Sequence, residues 1–202
     1  ISPERIREEL TRTLMEAPRA GDALARLDTL GLLVHILPEV SALKEQEQPP
    51  QYHPEGDVFT HVVLMLNKME ERSPTLIYAV LFHDIGKPAT AEFRDGRIRF
   101  NGHAELGADM AADIMKRLRF SRQMIEDVGD CVRRHMRFID VPNMRKSTLR
   151  RMVGSDIIDA ELELHRLDCL SSHGMLDNYN FLQQYRADMR AEPVLPKPWV
   201  NG

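Results

Sequence analysis

The chain has 202 residues, 43% of them hydrophobic, and a formal net charge of −4, which suits one or two domains with a full core. No apolar run is long enough to cross a bilayer, and the acidic balance excludes a protein whose whole surface grips nucleic acid. Cys131 and Cys169 are too few and too far apart for a disulfide framework or a cysteine zinc site, so a reducing, cytoplasmic setting is expected.

The chain starts Ile1-Ser2-Pro3-Glu4, without a Met and without a signal peptide, and is expected to be a piece excised from a longer one. Ser2 to Met15 reads as a helix, with a cap, a proline in the first turn and Ile6, Leu10 and Leu14 spaced by four. A second helix follows over residues 20–30, with Leu24, Leu27 and Leu30. A short one runs from Leu32 to Leu37, and Pro38 is expected to end it. Lys44 to Asp57, with Pro49, Pro50, Pro54 and Gly56, is a polar loop and the expected internal boundary. Val58 to Met69 is a helix whose apolar stripe is Phe59, Val62, Val63, Leu66 and Met69, with His61 off its centre.

The next segment, SPTLIYAVLFHDIGKP from Ser73 to Pro88, is a short helix that is apolar all round. Ser73 caps it, Pro74 suits its first turn, and Gly86 and Pro88 mark its end. An all-round apolar helix lies inside a fold, so His83-Asp84 at its end start from a buried position. A buried carboxylate costs several kcal/mol unless a cation or a metal ion compensates it.

Thr90 to Arg94, the turn Asp95-Gly96 and Arg97 to Phe100 form the one expected β element, a two-residue hairpin. Helices are then expected from Leu106 to Leu118, from Ser121 to about Arg137, from Ser147 to Val153, from Asp156 to Ser172 and from Leu176 to Arg190. The proline-rich tail Pro193 to Trp199 cannot continue the last one. Between Lys116 and Arg151 lie eleven Lys or Arg residues against four acids. This stretch could attract phosphates or be a set of solvated helix faces.

Five histidines, His53, His61, His83, His103 and His135, fall at helix or loop junctions, and each alone reads as an ordinary surface or hydrogen-bonded histidine. In order with Asp84 and Asp168 they resemble the HD-domain superfamily of metal-dependent phosphohydrolases, over roughly residues 51–173. That resemblance implies an all-α HD-domain bundle with one small β-hairpin at about 90–100. It implies a metal bound by His61, His83, Asp84 and Asp168, and His103 and His135 match the extra histidines of two-metal members. Asp84 would then bridge two ions, and iron, manganese, nickel, cobalt and zinc are not distinguished by such ligands. A one-metal site with His103 or His135 as general acid stays open. The catalytic group is accordingly Asp84, His103 and His135.

Lys87, Arg133 and Arg134 are the substrate-binding candidates. Glu105 and His165 are candidates for orienting ligands from outside; His35 and His173 receive no role. YHPEGDVFTHVVLML, FNGHAELGA and GLLVHILPEV narrow the resemblance to the HD-bearing part of the poly(A) polymerase and CCA-adding tRNA nucleotidyltransferase family. The strand, Gly-Ser turn and paired acids of a nucleotidyltransferase head are not found before residue 50. The expected layout is a helical connector over 1–45, an HD domain over 51–190 and a truncated proline-rich tail over 191–202.

The function implied is hydrolysis of a nucleotide or RNA-end phosphoester or phosphodiester, such as a 2′,3′-cyclic phosphate, by a metal-activated hydroxide. The alternative is a catalytically silent helical module that supports tRNA, with residues 116–151 as the contact. A di-iron oxygenase is a minor third option.

Overall fold

The computed structural model describes residues 1–49 and 53–191; the expected proline-rich tail lies outside them. The chain is all-α with one small hairpin, as expected. The helices are α1 (Pro3–Glu16), α2 (Ala20–Thr29), α3 (Leu33–Ile36), α4 (Pro38–Ser41), α5 (Val58–Lys68), α6 (Pro74–Phe82) and α7 (Lys87–Thr90). After the hairpin come α8 (His103–Arg117), α9 (Arg122–Arg134), a 3-10 segment (His135–Asn143), α10 (Lys146–Val153), α11 (Ile158–Ser171) and α12 (Asp177–Ala191).

Several boundaries differ from expectation by a few residues, and Thr90, expected to open the hairpin, belongs to α7. As expected, the short helix α3 ends before Pro38, with Leu37 (φ −134) outside the helical range; Pro38 then opens α4 at its first position, where a missing N–H costs nothing. α8 begins at His103 rather than Leu106, because Gly102 takes the left-handed conformation (φ 77) that turns the chain into it. The helix from Ser121 stops at Arg134, and the chain tightens into a 3-10 segment at His135, with Pro142 inside it. The expected α9 end at Arg137 was therefore three residues too late.

α6 is the axis of the structure. Every residue from Leu76 to Phe82 is buried, and Ser73 Oγ accepts from Leu76 N at 3.2 Å to start the helix. α5, α9 and α11 pack around it. Asp57 caps α5 through Thr60 N at 2.7 Å. Leu10, Leu14, Leu24, Leu33 and Leu43 join the same apolar cluster, so the N-terminal helices share a core with α5 and α6. A second, smaller cluster gathers Phe138, Val141, Leu149, Met152, Ile158 and Leu182.

The hairpin pairs β1 (Glu92–Arg94) with β2 (Arg97–Arg99), with Phe93 opposite Ile98. Asp95 (φ 53) and Gly96 (φ 76) both adopt the left-handed backbone of a two-residue hairpin turn. Among the described residues no helix is long and apolar enough to cross a membrane.

A candidate two-part metal centre

Five elements deliver the site: α5 carries His61, His83 and Asp84 directly follow α6, α8 begins with His103, and His135 directly follows α9. α11 adds Asp168. All four imidazoles are buried, as is Asp84, while the Asp168 side chain keeps 29% of its exposure.

The backbone sets which nitrogen each ring presents. His83 Nδ1 donates to Val80 O at 2.9 Å, His103 Nδ1 to Phe100 O at 2.7 Å and His135 Nδ1 to Val132 O at 2.6 Å. In each case the acceptor is the carbonyl three residues earlier; Val80 and Val132 lie in the last turns of α6 and α9, where carbonyls run short of helical partners, and Val132 O also accepts from His135 N. A carbonyl only accepts, so Nδ1 holds the proton and Nε2 is left with its lone pair.

His61 is held differently, by a carboxylate. Glu55 Oε1 lies 2.6 Å from His61 Nδ1, an ion-pair contact without the direction of a hydrogen bond, and accepts from His53 Nδ1 at 2.9 Å.

The six expected ligands converge as two groups. His61, His83 and Asp168 form one, with His61 Nε2 3.1 Å from Asp168 Oδ1. Asp84, His103 and His135 form the other, with the two Nε2 atoms 3.2 Å apart. Asp84 faces both: its Oδ2 lies 3.1 Å from His83 Nε2, while its Oδ1 lies 3.4 Å and 3.8 Å from the Nε2 atoms of His103 and His135. The buried Nε2 atoms of His61 and His83 have no hydrogen-bond partner among the described residues. Orphaned imidazole nitrogens beside buried carboxylates are the donor set a divalent ion takes up, so the residues fit one.

The electrostatics agree with that division. Burial alone would lower His61, but Asp168 and Glu55 outweigh it and raise its pKa to about 9. His135 falls to about 4, through burial and the neighbouring His83, and burial also lowers His103. Asp84 is held well below the usual carboxylate range, because His83 and Lys87 outweigh the burial that would raise it. Asp168 is lowered too, against its own desolvation, by His61.

A cavity of about 430 Å³ opens onto Asp84, His103, His135 and Asp168. Lys87, one of the expected substrate cations, is buried at its edge. Its Nζ lies 2.7 Å from Asp84 Oδ2, donates to Gln48 Oε1 at 2.6 Å and sits 5.4 Å from the Phe100 ring centre.

Arg133 and Arg134 are placed elsewhere. They pair on the surface with Asp109 and Asp130, each at 2.9 Å, and neither lines the cavity. Both follow the helical register of α9 away from His135. Glu105 is exposed and, among the described residues, forms no hydrogen bond or ion pair with a candidate ligand histidine; Phe100 O holds His103 Nδ1 instead. His165 lines the cavity, stacked on Phe138 at 4.7 Å between ring centres, and is not hydrogen-bonded to Asp168.

Glu55 and Gln48 went unnoticed in the sequence. Glu55 had one usable signal, a carboxylate two residues after His53 and six before His61 in a proline-bounded turn. Gln48 had none.

Residues 57–172 match the HD domain family, and residues 1–44 match the probable RNA and SrmB-binding site of polymerase A. The CC-adding tRNA nucleotidyltransferase of Thermus thermophilus is 34% identical over 205 residues, which cover 98% of this chain and 46% of that protein. The A-adding tRNA nucleotidyltransferase of Deinococcus radiodurans is 31% identical over 212 residues, covering 98% and 48%. A multifunctional CCA protein of Halorhodospira halophila is 39% identical over 124 residues, covering 60% and 29%. The chain spans about half the length, or less, of these curated relatives. It belongs to the HD-domain family, as the HD-bearing part found in the poly(A) polymerase and CCA-adding tRNA nucleotidyltransferase family.

Proposed function

We propose that the chain is a metal-dependent phosphohydrolase that cleaves a nucleotide or RNA-end phosphoester or phosphodiester, a 2′,3′-cyclic phosphate being one example. The observation that carries this reading is the division of Asp84, whose two carboxylate oxygens face two separate groups of imidazole nitrogens. Two divalent ions, when bound, supply Lewis-acid charge to a phosphoryl group and lower the pKa of a water. Iron, manganese, nickel, cobalt and zinc all suit these ligands.

The protein's own part is orientation and desolvation. His61, His83 and Asp168 hold one half of the site and His103 and His135 the other, with Asp84 between them. α6, buried along its length, keeps water from one side. Lys87, on the cavity wall, would meet a phosphate oxygen only by giving up part of its contact with Asp84. The free, buried cysteines Cys131 and Cys169 support a cytoplasmic setting.

The test is to measure bound metal on the purified chain and then assay phosphomonoesters, cyclic nucleotides and phosphodiesters, with His83→Ala and Asp84→Ala as controls. Activity is expected to need added metal and to vanish in both variants. Activity that survives both substitutions, or none with any divalent ion, sinks the reading.

The match of residues 1–44 to a polymerase RNA-binding region favours a second reading, a helical module that supports tRNA. In it, residues 1–45 act as connector, 51–190 as the HD domain, and 116–151 as the contact. Much of that basic stretch is paired internally: Arg117 with Glu39, Arg122 with Glu126 and Arg137 with Glu161. Arg151, beside Arg134 and Arg137 in a small pocket, is a candidate contact. A tRNA affinity that does not weaken as salt rises would count against it.

A further inference from the structure

The cavity over Asp84, His103 and His135 has a second cation on its wall besides Lys87, and the hairpin supplies it. Arg99 ends β2, and its Nη2 donates to Asp95 Oδ2 at 2.9 Å. The turn residue that closes the hairpin therefore also clamps one end of the guanidinium. The Nε of Arg99 is buried and has no hydrogen-bond partner among the described residues.

A guanidinium carries five donors in a planar fork and no acceptor, and a buried N–H left unmatched is costly until an acceptor reaches it. The other cations near the site are committed. Lys87 is engaged by Asp84 and Gln48, and Arg133 and Arg134 pair with carboxylates outside the cavity. Ile98 and Phe100 flank Arg99 on the wall, with Met136 and Ile139 also lining the cavity, so apolar surface lies beside the charge. Low local dielectric strengthens an ionic hydrogen bond formed there.

We propose that Arg99 binds a phosphate oxygen of the substrate, a phosphate monoester or diester, and that Asp95 holds its guanidinium for that contact. The inference rests on the phosphohydrolase reading and adds to it a residue for anion recognition. Arg matches such an anion better than Lys, because its planar fork meets two oxygens together.

The test is calorimetric titration of the manganese-loaded chain with inorganic phosphate, with metal content and unfolding midpoint measured in parallel. Arg99→Gln is expected to weaken phosphate binding by about tenfold or more while metal content stays as in the unsubstituted chain. Arg99→Lys, which keeps the charge but not the fork, is expected to fall between them. Should Arg99→Gln lower the unfolding midpoint, Arg99→Lys at the native midpoint decides: reduced affinity supports the assignment and native affinity overturns it. Phosphate binding of native strength in a folded Arg99→Gln overturns the assignment, and so does a loaded, unsubstituted chain that binds no phosphate. Hydrolysis of the phosphoester panel by the unsubstituted chain is read separately. Activity there alongside native phosphate affinity in Arg99→Gln removes Arg99 from the site and leaves the phosphohydrolase reading intact.

Discussion

Lys87 Nζ lies 2.7 Å from Asp84 Oδ2, the same oxygen that His83 Nε2 approaches at 3.1 Å. Both partners of this ion pair are almost wholly buried. In the metal-free chain Lys87 is therefore the cationic partner that helps to hold the Asp84 pKa down. Removing one partner of a buried pair strands the other, at about 3–5 kcal/mol. Lys87→Met is expected to destabilise the metal-free chain by about 3 kcal/mol in urea unfolding, and added divalent metal is expected to restore much of that. An equal loss with and without metal would show that the ion and Lys87 do not share Asp84.

Proton release should distinguish the two halves of the centre. In the metal-free chain His61 has its pKa raised to about 9, so at neutral pH it keeps a proton that a metal must displace. Affinity of the His61–His83–Asp168 half is expected to climb by up to about tenfold per pH unit and to flatten near pH 9. His135, at about 4, and His103, also lowered, carry no such proton at neutral pH, so the other half should change little. The sign for stability follows. The raised His61 pKa stabilises the metal-free fold fully below its unfolded value near 6.5, and that contribution is lost as pH rises through about 9. Metal titrations at several pH values between 6.5 and 9 check the first point; identical profiles for two binding events would contradict it.

Glu55 meets His61 from outside the candidate ligand set, with Oε1 at 2.6 Å from Nδ1. Carboxylates in this position fix the ring and raise its basicity. Glu55→Gln is expected to reduce metal affinity by about 10–100-fold, with the His61 pKa falling in the metal-free chain. Competition with a metal indicator measures the first and histidine NMR titration the second. Native affinity would reduce Glu55 to a surface contact.

Gly86 is required for space rather than for backbone freedom. A Cβ there would lie 2.3 Å from His103 O and 2.9 Å from Gly107 N, both backbone atoms with little freedom to give way. Gly86→Ala should cost about 1–3 kcal/mol or more and displace the start of α8, and His103 with it. Metal stoichiometry should fall with the unfolding midpoint. A stable variant with full metal content would show that the helices can part without loss.

Much of the candidate site was legible because its local chemistry is anomalous. An apolar helix ending in His83-Asp84 is far harder to read as merely structural once His61 before it and His103, His135 and Asp168 after it are taken in order. The hairpin was equally legible from Asp95-Gly96, whose turn chemistry is local. Boundaries near the ligands were less so. The stop at Arg134 and the 3-10 turn that follows depend on how His135 meets Val132 O and how Phe138 packs into the second cluster. Arg133 and Arg134 illustrate the limit well: adjacency to His135 in sequence carried no information about which way a helical side chain points.

By itself the sequence determined the helical periods, the caps at Ser2, Ser73 and Ser121, the buried character of α6 and the set of candidate metal ligands. Those properties depend on residues a few positions apart, where hydrogen bonding and burial follow from local composition. The tertiary structure alone decided which oxygen of Asp84 meets which imidazoles, that Glu55 and Gln48 take part, and that Arg99 rather than Arg133 or Arg134 lines the cavity. Those contacts join distant elements at ångström precision, and it is the packing of α5, α8, α9 and α11 around α6 that sets most of them.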